Sequence, residues 1–244
     1  MDLRTMRLPI ERVTLLLRLG RVSNLPTVWT NTLTGVVLGG GALRSIEVPA
    51  LIVAFTFFYT GGMFLNDAFD REHDRRARPD RPIPQGLIQA ETVFAMGYGM
   101  VLLGILIIMF IGMAIGKGWA PAVSAVALAA AIVSYDAYHK QNPFGPWIMA
   151  LCRALIYMTG AAVISGQISA TVMAGAAILF GYVAGLTYVA MHRSTLPSTV
   201  GRLIAGIALL DAALMAGLGA FGGAGFALLG FFLTRRWQRV IQGT

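Results

Sequence analysis

The chain has 244 residues, of which 57% are hydrophobic and only 12% are charged, and its formal net charge is +8. A soluble domain of this length would expose far more charge, so the composition excludes an ordinary soluble enzyme and predicts an all-α, polytopic membrane protein. The basic excess does not indicate nucleic acid binding, because membrane topology and anionic lipid account for it.

The predicted elements begin with an N-terminal segment, residues 1–21, which we expect to lie at the membrane interface as a short amphipathic helix. Eight apolar stretches follow, each long enough to cross about 30 Å of hydrocarbon as a helix. Their predicted bounds are 23–42, 48–66, 92–116, 118–134, 144–165, 168–190, 200–217 and 219–234. The whole chain, residues 1–244, is thus predicted to form a single transmembrane domain of about eight helices.

The positions of the basic residues give a second indication of the number of spans. If eight spans alternate in direction, all but three of the 19 Lys and Arg residues fall on one side of the membrane; the exceptions are Arg44, Lys117 and Arg153. Because basic residues concentrate on the cytoplasmic side, we expect both termini and the loop after the second span to be cytoplasmic in a cell inner membrane. Two termini on one side require an even number of spans, which favours eight over seven or nine.

The most informative segment is the loop sequence NDAFDREHDRRARPDRPIPQG at 66–86, which holds five of the eleven acidic residues. In a helix, Asp67, Asp70 and Asp74 fall within about 60° of one another. Such carboxylates repel one another unless they share a cation. Mg²⁺ suits them because it prefers oxygen ligands and is commonly completed by substrate phosphates. We therefore predict a magnesium site beside Asn66; the alternative is a solvated loop with incidental charges.

This segment resembles the first aspartate-rich motif of the UbiA family of intramembrane prenyltransferases. The residues that match in order and spacing are Asn66, Asp67, Asp70, Asp74, Arg81, Pro82, Pro84 and Gly86. The upstream segment RVSNLPTVWTN and the arrangement of the spans are also similar, and the compact length resembles the short EboC-like members of the family. UbiA-like enzymes bind a prenyl diphosphate through Mg²⁺ and let an acceptor capture the allylic cation. The resemblance implies that the helices surround a central cavity and that Asp67, Asp70 and Asp74 hold the metal.

Departure of a diphosphate builds negative charge on oxygen, so cationic groups are needed beside the metal. A charged side chain inside a span normally faces a polar cavity or a partner, which makes Arg153 a candidate for the cavity and Asp136 its alternative partner. The predicted catalytic residues are Asp67, Asp70, Lys140 and Arg153. The predicted substrate-binding residues are Asn66, Arg78, Arg81, Tyr135, Tyr138, Tyr188, His192 and Arg193; Tyr135, Tyr138 and Lys140 resemble the family's stretch over the diphosphate site.

The second aspartate-rich motif of UbiA-like enzymes, which follows their sixth span, is altered in this chain. The corresponding stretch is TYVAMHRSTLPSTVGR, in which Tyr188 matches, His192 replaces the first aspartate and Arg193 keeps the basic position. No carboxylate occurs between Asp136 and Asp211. Two interpretations remain open: His192 and Arg193 contact the diphosphate directly, or His192 is an ordinary loop residue.

The function predicted from these features is the magnesium-dependent transfer of a polyprenyl group from a prenyl diphosphate to an aromatic or small polar acceptor in the membrane. The altered second motif keeps an alternative open, namely a UbiA-like terpene cyclase or another enzyme that processes polyprenyl phosphates or diphosphates. A transporter is disfavoured, because an ion path would place carboxylates in the middle of a span rather than at the interface.

Overall fold

The structure, a computed structural model, describes residues 13–140, 142–192 and 196–241. Residues 13–19 are helical, and a 3₁₀ turn, Val22–Asn24, leads into the helical bundle. The α-helices that follow are α1 Leu25–Leu38, α2 Glu47–Phe69, α3 Arg71–Ala77, α4 Ala90–Ala114, α5 Ala120–Tyr138, α6 Gly145–Ser165, α7 Ala170–His192, α8 Pro197–Gly217 and α9 Phe221–Val240. No strand occurs within these described ranges, which confirms the all-α prediction.

Eight of these helices correspond one to one to the predicted spans, with α3 added in the acidic loop. In the part of the chain that the structure describes, six helices are long and apolar enough to cross a membrane: α2 and α4 to α8. The first helix, α1, has 14 residues and is therefore only about 21 Å long. The predicted first span, 23–42, is therefore longer than the helix found there. The last helix, α9, ends with the basic residues Arg235, Arg236 and Arg239.

The two described ends of the chain lie at the same end of the bundle. The side-chain amide of Gln238, near the end of α9, donates hydrogen bonds to Asn24 Oδ1 at 2.9 Å and to the carbonyl of Gly201 at 3.0 Å. Asn24 directly precedes α1, and Gly201 lies near the start of α8. An even number of membrane passages, as predicted from the basic residues, is consistent with this arrangement.

The short helix α1 is the most enclosed element of the bundle. It packs against α2, α6, α7, α8 and α9, and 12 of its 14 residues are buried. Its threonine hydroxyls donate to carbonyls one turn earlier, as Thr32 does to Val28 at 2.8 Å and Thr34 to Thr30 at 2.9 Å. These bonds satisfy the hydroxyls locally, so a polar helix can lie inside an apolar bundle and carry Asn31 into its interior.

Close packing of α1 on α6 depends on two glycines with small-xxx-small spacing. A Cβ on Gly35 would lie 3.0 Å from Cα of Tyr157, and one on Gly39 would lie 2.9 Å from Cα of Ala161. Both neighbouring atoms are backbone and cannot move aside cheaply. Gly181 and Gly185 have the same spacing in α7, but a Cβ at either position meets no atom within 4 Å. Of these two pairs, only the one at Gly35 and Gly39 marks close helix packing.

We expect Gly35→Ala to lower the free energy of unfolding by about 1–3 kcal/mol, because the added methyl group forces α1 and α6 apart. Gly181→Ala is the matched control and should be neutral or slightly stabilising, since alanine favours a helix where space is open. Thermal unfolding of both variants in detergent measures the difference. Equal melting temperatures would contradict the close contact between α1 and α6.

Candidate active site

The acidic segment follows α2 at the end of the bundle where α5 also ends and α6 begins. Helix α2 ends at Phe69, Asp70 links it to α3, and the chain leaves the helix before Pro79. Asp67, Asp70 and Asp74 are all buried. Glu72 instead points to solvent and pairs with Arg75 at 3.1 Å. A helical face of three aspartates is therefore present, and the interpretation as a solvated loop with incidental charges is wrong for these three.

Beside this segment, a cavity of about 460 Å³ lies among α2, α5, α6, α7 and α8, within the usual volume range of small-molecule sites. In the described chain, five cationic side chains line it: Arg21, Arg78, Arg81, Lys140 and Arg153. Apolar side chains form the rest of its wall, among them Phe58, Leu128, Ile132, Ile156, Val183 and Ile207. Such a cavity suits an amphiphilic ligand with an anionic head and an apolar tail.

Two arginines that line the cavity, Arg21 and Arg81, bind the aspartates Asp67 and Asp74 behind it. Arg81 Nη1 donates to Asp67 Oδ1 at 3.0 Å and to Asp74 Oδ2 at 2.8 Å. Arg21 Nη2 donates to Asp67 Oδ1 and to Asn66 Oδ1, both at 3.0 Å. Burial lowers the pKa of Arg21, but the charge and hydrogen bond of Asp67, together with Tyr59 and Tyr135, outweigh it, so this pKa lies above its ordinary value. The guanidinium groups thus offset the mutual repulsion of the carboxylates.

Asp70 has its own basic partners at the end of α5. Lys140 Nζ lies 3.0 Å and His139 Nε2 lies 3.6 Å from Asp70 Oδ2. Burial raises the pKa of Asp70, but the hydrogen bonds and the charges of His139 and Lys140 together outweigh it, so the net shift is downward. Asp70 is therefore ionised at neutral pH and available as an anionic ligand.

The oxygens of Asp67, Asp70 and Asp74 fit a magnesium ion, although these carboxylates are paired with basic side chains. No three acidic, histidine or cysteine side chains of the described residues are grouped closely enough to hold a metal ion as they stand. Asp67 and Asp74, however, already approach one shared nitrogen of Arg81, so both can reach a common cation. Asp74 Oδ1 is also buried without a hydrogen-bond partner in the described structure. Unsatisfied, hard carboxylate oxygens are ligands that Mg²⁺ prefers.

Arg153 belongs to a different part of the cavity wall. It lies eight residues after the start of α6, about 12 Å along the helix. Its Nη1 donates to Asn31 Oδ1 at 2.9 Å, and its Cζ lies 5.7 Å from the ring centroid of Tyr59. Asp136 receives its hydrogen bond from Asn66 instead, at 3.3 Å. Pairing of Arg153 with Asp136, the alternative considered from the sequence, is therefore wrong.

The predicted tyrosines divide between the cavity and the surface. Tyr135 lines the cavity and stacks on His139 with ring centroids 4.7 Å apart. Tyr138 and Tyr188 are 69% and 56% exposed and do not line it, contrary to their predicted contact with substrate. Tyr138 points away because His139, one helical turn after Tyr135, faces the cavity in its place. Tyr188 points away because it is rotated by about 100° around α7 from the lining residue Thr187.

The altered second motif falls at the end of α7. Thr187 and Ala190 bring this helix to the cavity, and His192 is its last residue. The side chain of His192 and residues 193–195, including Arg193, lie outside the described residues. Direct contact of His192 and Arg193 with a diphosphate stays a prediction.

Sequence analysis missed several polar lining residues, among them Arg21, Asn24, Tyr59 and His139. Arg21 and Asn24 directly precede helix α1, and polar residues commonly mark the end of a transmembrane helix. His139 lies within the SYDAYHK segment that was already singled out. These three could have been found as polar residues at the ends of spans, whereas Tyr59 lies inside an apolar run and has no such signal.

Fold and site together define an integral membrane protein with a group of basic and acidic side chains at one end of an apolar cavity. The sequence model of the UbiA prenyltransferase family matches residues 28–243. The chain therefore belongs to the UbiA prenyltransferase family, which confirms the resemblance recognised in its acidic motif.

Several related proteins are named digeranylgeranylglyceryl phosphate synthase. The protein from Halobacterium salinarum is 32% identical over 170 residues, which cover 67% of this chain and 58% of the relative. The protein from Methanothrix thermoacetophila is 37% identical over 93 residues, or 38% of this chain and 35% of the relative. The chain thus spans less than two thirds of the length of these relatives.

Solved structures share the fold at low sequence identity. A structure of digeranylgeranylglyceryl phosphate synthase has a TM-score of 0.60 at 18% identity and covers 94% of this chain and 98% of that one. A UbiA homologue from Archaeoglobus fulgidus bound to DMAPP and Mg²⁺ has a TM-score of 0.58 at 14% identity, over 93% of this chain and 86% of that one. These similarities establish the helical fold.

Proposed function

We propose that this protein transfers a prenyl group from a prenyl diphosphate to a small polar acceptor within the membrane, and that the reaction depends on Mg²⁺. The observation that carries the proposal is the buried group of Asp67, Asp70 and Asp74 beside a cavity with an apolar interior. A carboxylate group of this kind serves a metal, and an apolar cavity serves a hydrocarbon chain. Family membership and the DMAPP- and Mg²⁺-bound homologue support the same donor.

The residues of the polar end have separate roles in this proposal. Asp67, Asp70 and Asp74 would hold Mg²⁺, which when bound neutralises a diphosphate and makes it a better leaving group. Arg21, Arg81 and Lys140, now bonded to these carboxylates, supply fixed positive charge for the diphosphate oxygens. Charge-assisted hydrogen bonds of this kind strengthen as negative charge develops on the leaving group.

The apolar wall holds the prenyl chain and keeps water from the reacting carbon. Phe58, Leu128 and Ile156 contribute to this wall from three different helices. Exclusion of water matters because an allylic cation reacts readily with it, and a dry cavity leaves capture to the acceptor.

A glyceryl phosphate type of acceptor is supported by the names of the relatives that share about a third of their matched residues with this chain. Such an acceptor offers a hydroxyl group to the prenyl carbon: the bond from this carbon to the diphosphate oxygen breaks, the new C–O bond forms, and diphosphate and the hydroxyl proton are released. An aromatic acceptor, also expected from the sequence, is the competing choice. Membrane lipid surrounds the protein in either case.

The decisive experiment measures diphosphate release by the purified protein from DMAPP and longer prenyl diphosphates, with and without Mg²⁺, and identifies the organic product by mass spectrometry. We expect release only with Mg²⁺, together with a prenylated acceptor when a glyceryl phosphate ether lipid is added. Release without any acceptor, with a cyclised product, would favour the terpene cyclase alternative. Absence of release under all conditions would overturn the proposal.

We further propose that the acidic end of the bundle and both termini face the cytoplasm of a cell inner membrane. On a Cys152→Ala background, Arg76→Cys should react with a membrane-impermeant maleimide only after the cells are opened. Arg76 is exposed and suits this labelling, and Arg44→Cys, exposed after α1, is the matched control that should react in intact cells. Labelling of Arg76→Cys in sealed cells would reverse the orientation.

A further inference from the structure

We propose that Arg153 forms a second anion-binding subsite in the cavity, separate from the diphosphate end, and that it binds an oxyanion of the acceptor, either a phosphate or a carboxylate. The inference rests on the proposed function, because it assigns the chemistry of the acceptor in that reaction. Arg153 would thus determine acceptor specificity in a part of the cavity that the acidic motif does not form.

The first argument is the contrast between Arg153 and the cations at the polar end. Arg21, Arg81 and Lys140 each form an ion pair with a carboxylate of the acidic segment. Arg153 forms no ion pair with a carboxylate anywhere in the described chain. It is only 9% exposed and lines the cavity, whereas Arg78, the remaining lining cation, lies at the exposed loop. A charged side chain that is buried in a membrane protein, lines a cavity and lacks a carboxylate partner points to a substrate site.

The second argument is the number of donors that Arg153 still has available. A guanidinium carries several N–H donors in a planar fork, and its described hydrogen bond uses one of them, on Asn31 Oδ1. The ring of Tyr59 lies beside the guanidinium and accepts no strong hydrogen bond from it. The planar fork matches the two oxygens of a phosphate or carboxylate, which explains the choice of ligand class.

The third argument is that the protein fixes the orientation of this guanidinium. Asp211 of α8 is fully buried and accepts hydrogen bonds from Thr30 and Tyr157. It also accepts from Asn31 Nδ2, at 2.9 and 3.1 Å. Because a carboxylate only accepts, it holds the NH₂ group of Asn31 toward itself and turns the amide oxygen toward Arg153. Asp211 therefore acts as a positioning residue through Asn31.

This arrangement also keeps the positive charge available. Asn31 separates Arg153 from Asp211, so the negative charge that balances Arg153 is nearby without occupying its donors. Direct pairing would instead have neutralised the guanidinium and closed the site. An oriented cation with free donors, set between the apolar residues Met149 and Ile156 of the same helix, is suited to the head group of an amphiphile.

The test compares the binding of two lipids that differ only in the phosphate: a monoalkyl glyceryl phosphate and the corresponding monoalkyl glycerol. Calorimetry on the full-length protein in detergent should show that the wild type prefers the phosphate lipid by about tenfold to a hundredfold. Arg153→Gln should remove this preference, and Arg153→Lys should restore part of it. A hydroxybenzoate and phenol form a parallel pair for a carboxylate acceptor. Arg202→Gln, an exposed arginine of α8, is the control that should change nothing.

Binding of geranyl diphosphate with Mg²⁺ is measured in the same variants. It should stay unchanged in Arg153→Gln, since no hydrogen bond or ion pair joins Arg153 to the acidic segment in the described structure. A loss of donor binding in that variant, or an unchanged preference for both anionic ligands, would overturn the inference while leaving the proposed function intact. Failure of the wild type to bind geranyl diphosphate would instead count against the proposed function.

The positioning role is tested separately with Asp211→Asn, which allows Asn31 to turn its NH₂ group toward Arg153. Affinity for the favoured anionic ligand should fall as in Arg153→Gln, and combining the two substitutions should cause no further loss. Thr30→Val removes one hydrogen bond to Asp211 without releasing Asn31, so it should lower the melting temperature and keep the affinity. Equal affinity in Asp211→Asn and the wild type would contradict the positioning role.

Discussion

Replacement of Asp70 by Asn is expected to remove magnesium-dependent activity, by at least about a hundredfold, and to leave the protein folded. Asp70 lies just beyond α2, and its partner Lys140 has a side chain that is 42% exposed. Water can therefore solvate the lysine when the carboxylate is lost, so the substitution leaves no buried, uncompensated charge. Diphosphate release at several Mg²⁺ concentrations, together with thermal unfolding, separates the loss of metal binding from a loss of structure.

The control for this substitution is Glu72→Gln, two residues along the chain. Glu72 is exposed and bonded to Arg75, so its neutralisation should alter neither activity nor the dependence on Mg²⁺. Full activity of Asp70→Asn in the presence of a chelator would refute the assignment of Asp70 as a metal ligand.

Asp67→Asn should also abolish activity, but its effect on stability differs from what the sequence alone predicts. Because three neighbouring aspartates repel one another, the sequence predicts that neutralising any of them reduces this repulsion and does not destabilise the fold. In the structure, however, Asp67 accepts from both Arg21 and Arg81, and all three side chains are largely buried. Its neutralisation removes the negative charge that these arginines share, so we expect a measurable loss of stability.

The helices and the acidic motif could be predicted because both depend on local sequence. An apolar run of sufficient length specifies a span, and helical periodicity places Asp67, Asp70 and Asp74 on one face. Periodicity does not specify a partner from another element, however. The contacts of Asp67 with Arg21 and of Asn31 with Asp211 join residues that are 46 and 180 positions apart, and no local pattern encodes them.

Exposed aromatic residues show a second limit of the sequence. Tyr188 matches the family pattern, yet its neighbour Thr187 faces the cavity. In a protein surrounded by lipid, apolar and aromatic side chains occur on both the inner and the outer face of a helix, so hydropathy alone does not tell which face lines the cavity. Polar residues within a span indicate its inward face better, as Asn31 and Arg153 illustrate.

Replacement of Arg81 by Gln is expected to destabilise the protein in the absence of divalent metal, by about 3 kcal/mol, and Mg²⁺ should reverse much of this loss. Arg81 bridges Asp67 and Asp74, whose side chains are 10% and 2% exposed. Without the guanidinium, two buried carboxylates face each other with less positive charge between them. A bound cation takes over that role, and saturation at about a hundred times its dissociation constant contributes roughly 2.7 kcal/mol.

Thermal unfolding with and without Mg²⁺, in the wild type and in Arg81→Gln, tests this exchange. The metal should raise the melting temperature of the variant by several degrees and that of the wild type by less, because in the wild type Mg²⁺ has to displace Arg81 from the same oxygens. Arg81→Lys keeps the charge, so the rise in melting temperature that Mg²⁺ causes in it should fall between those of the wild type and Arg81→Gln. Arg76→Gln, at an exposed position, serves as the control. If Mg²⁺ raised the melting temperatures of the wild type and Arg81→Gln equally, the guanidinium and the metal would not compete for Asp67 and Asp74, and the proposed magnesium site would have to lie elsewhere.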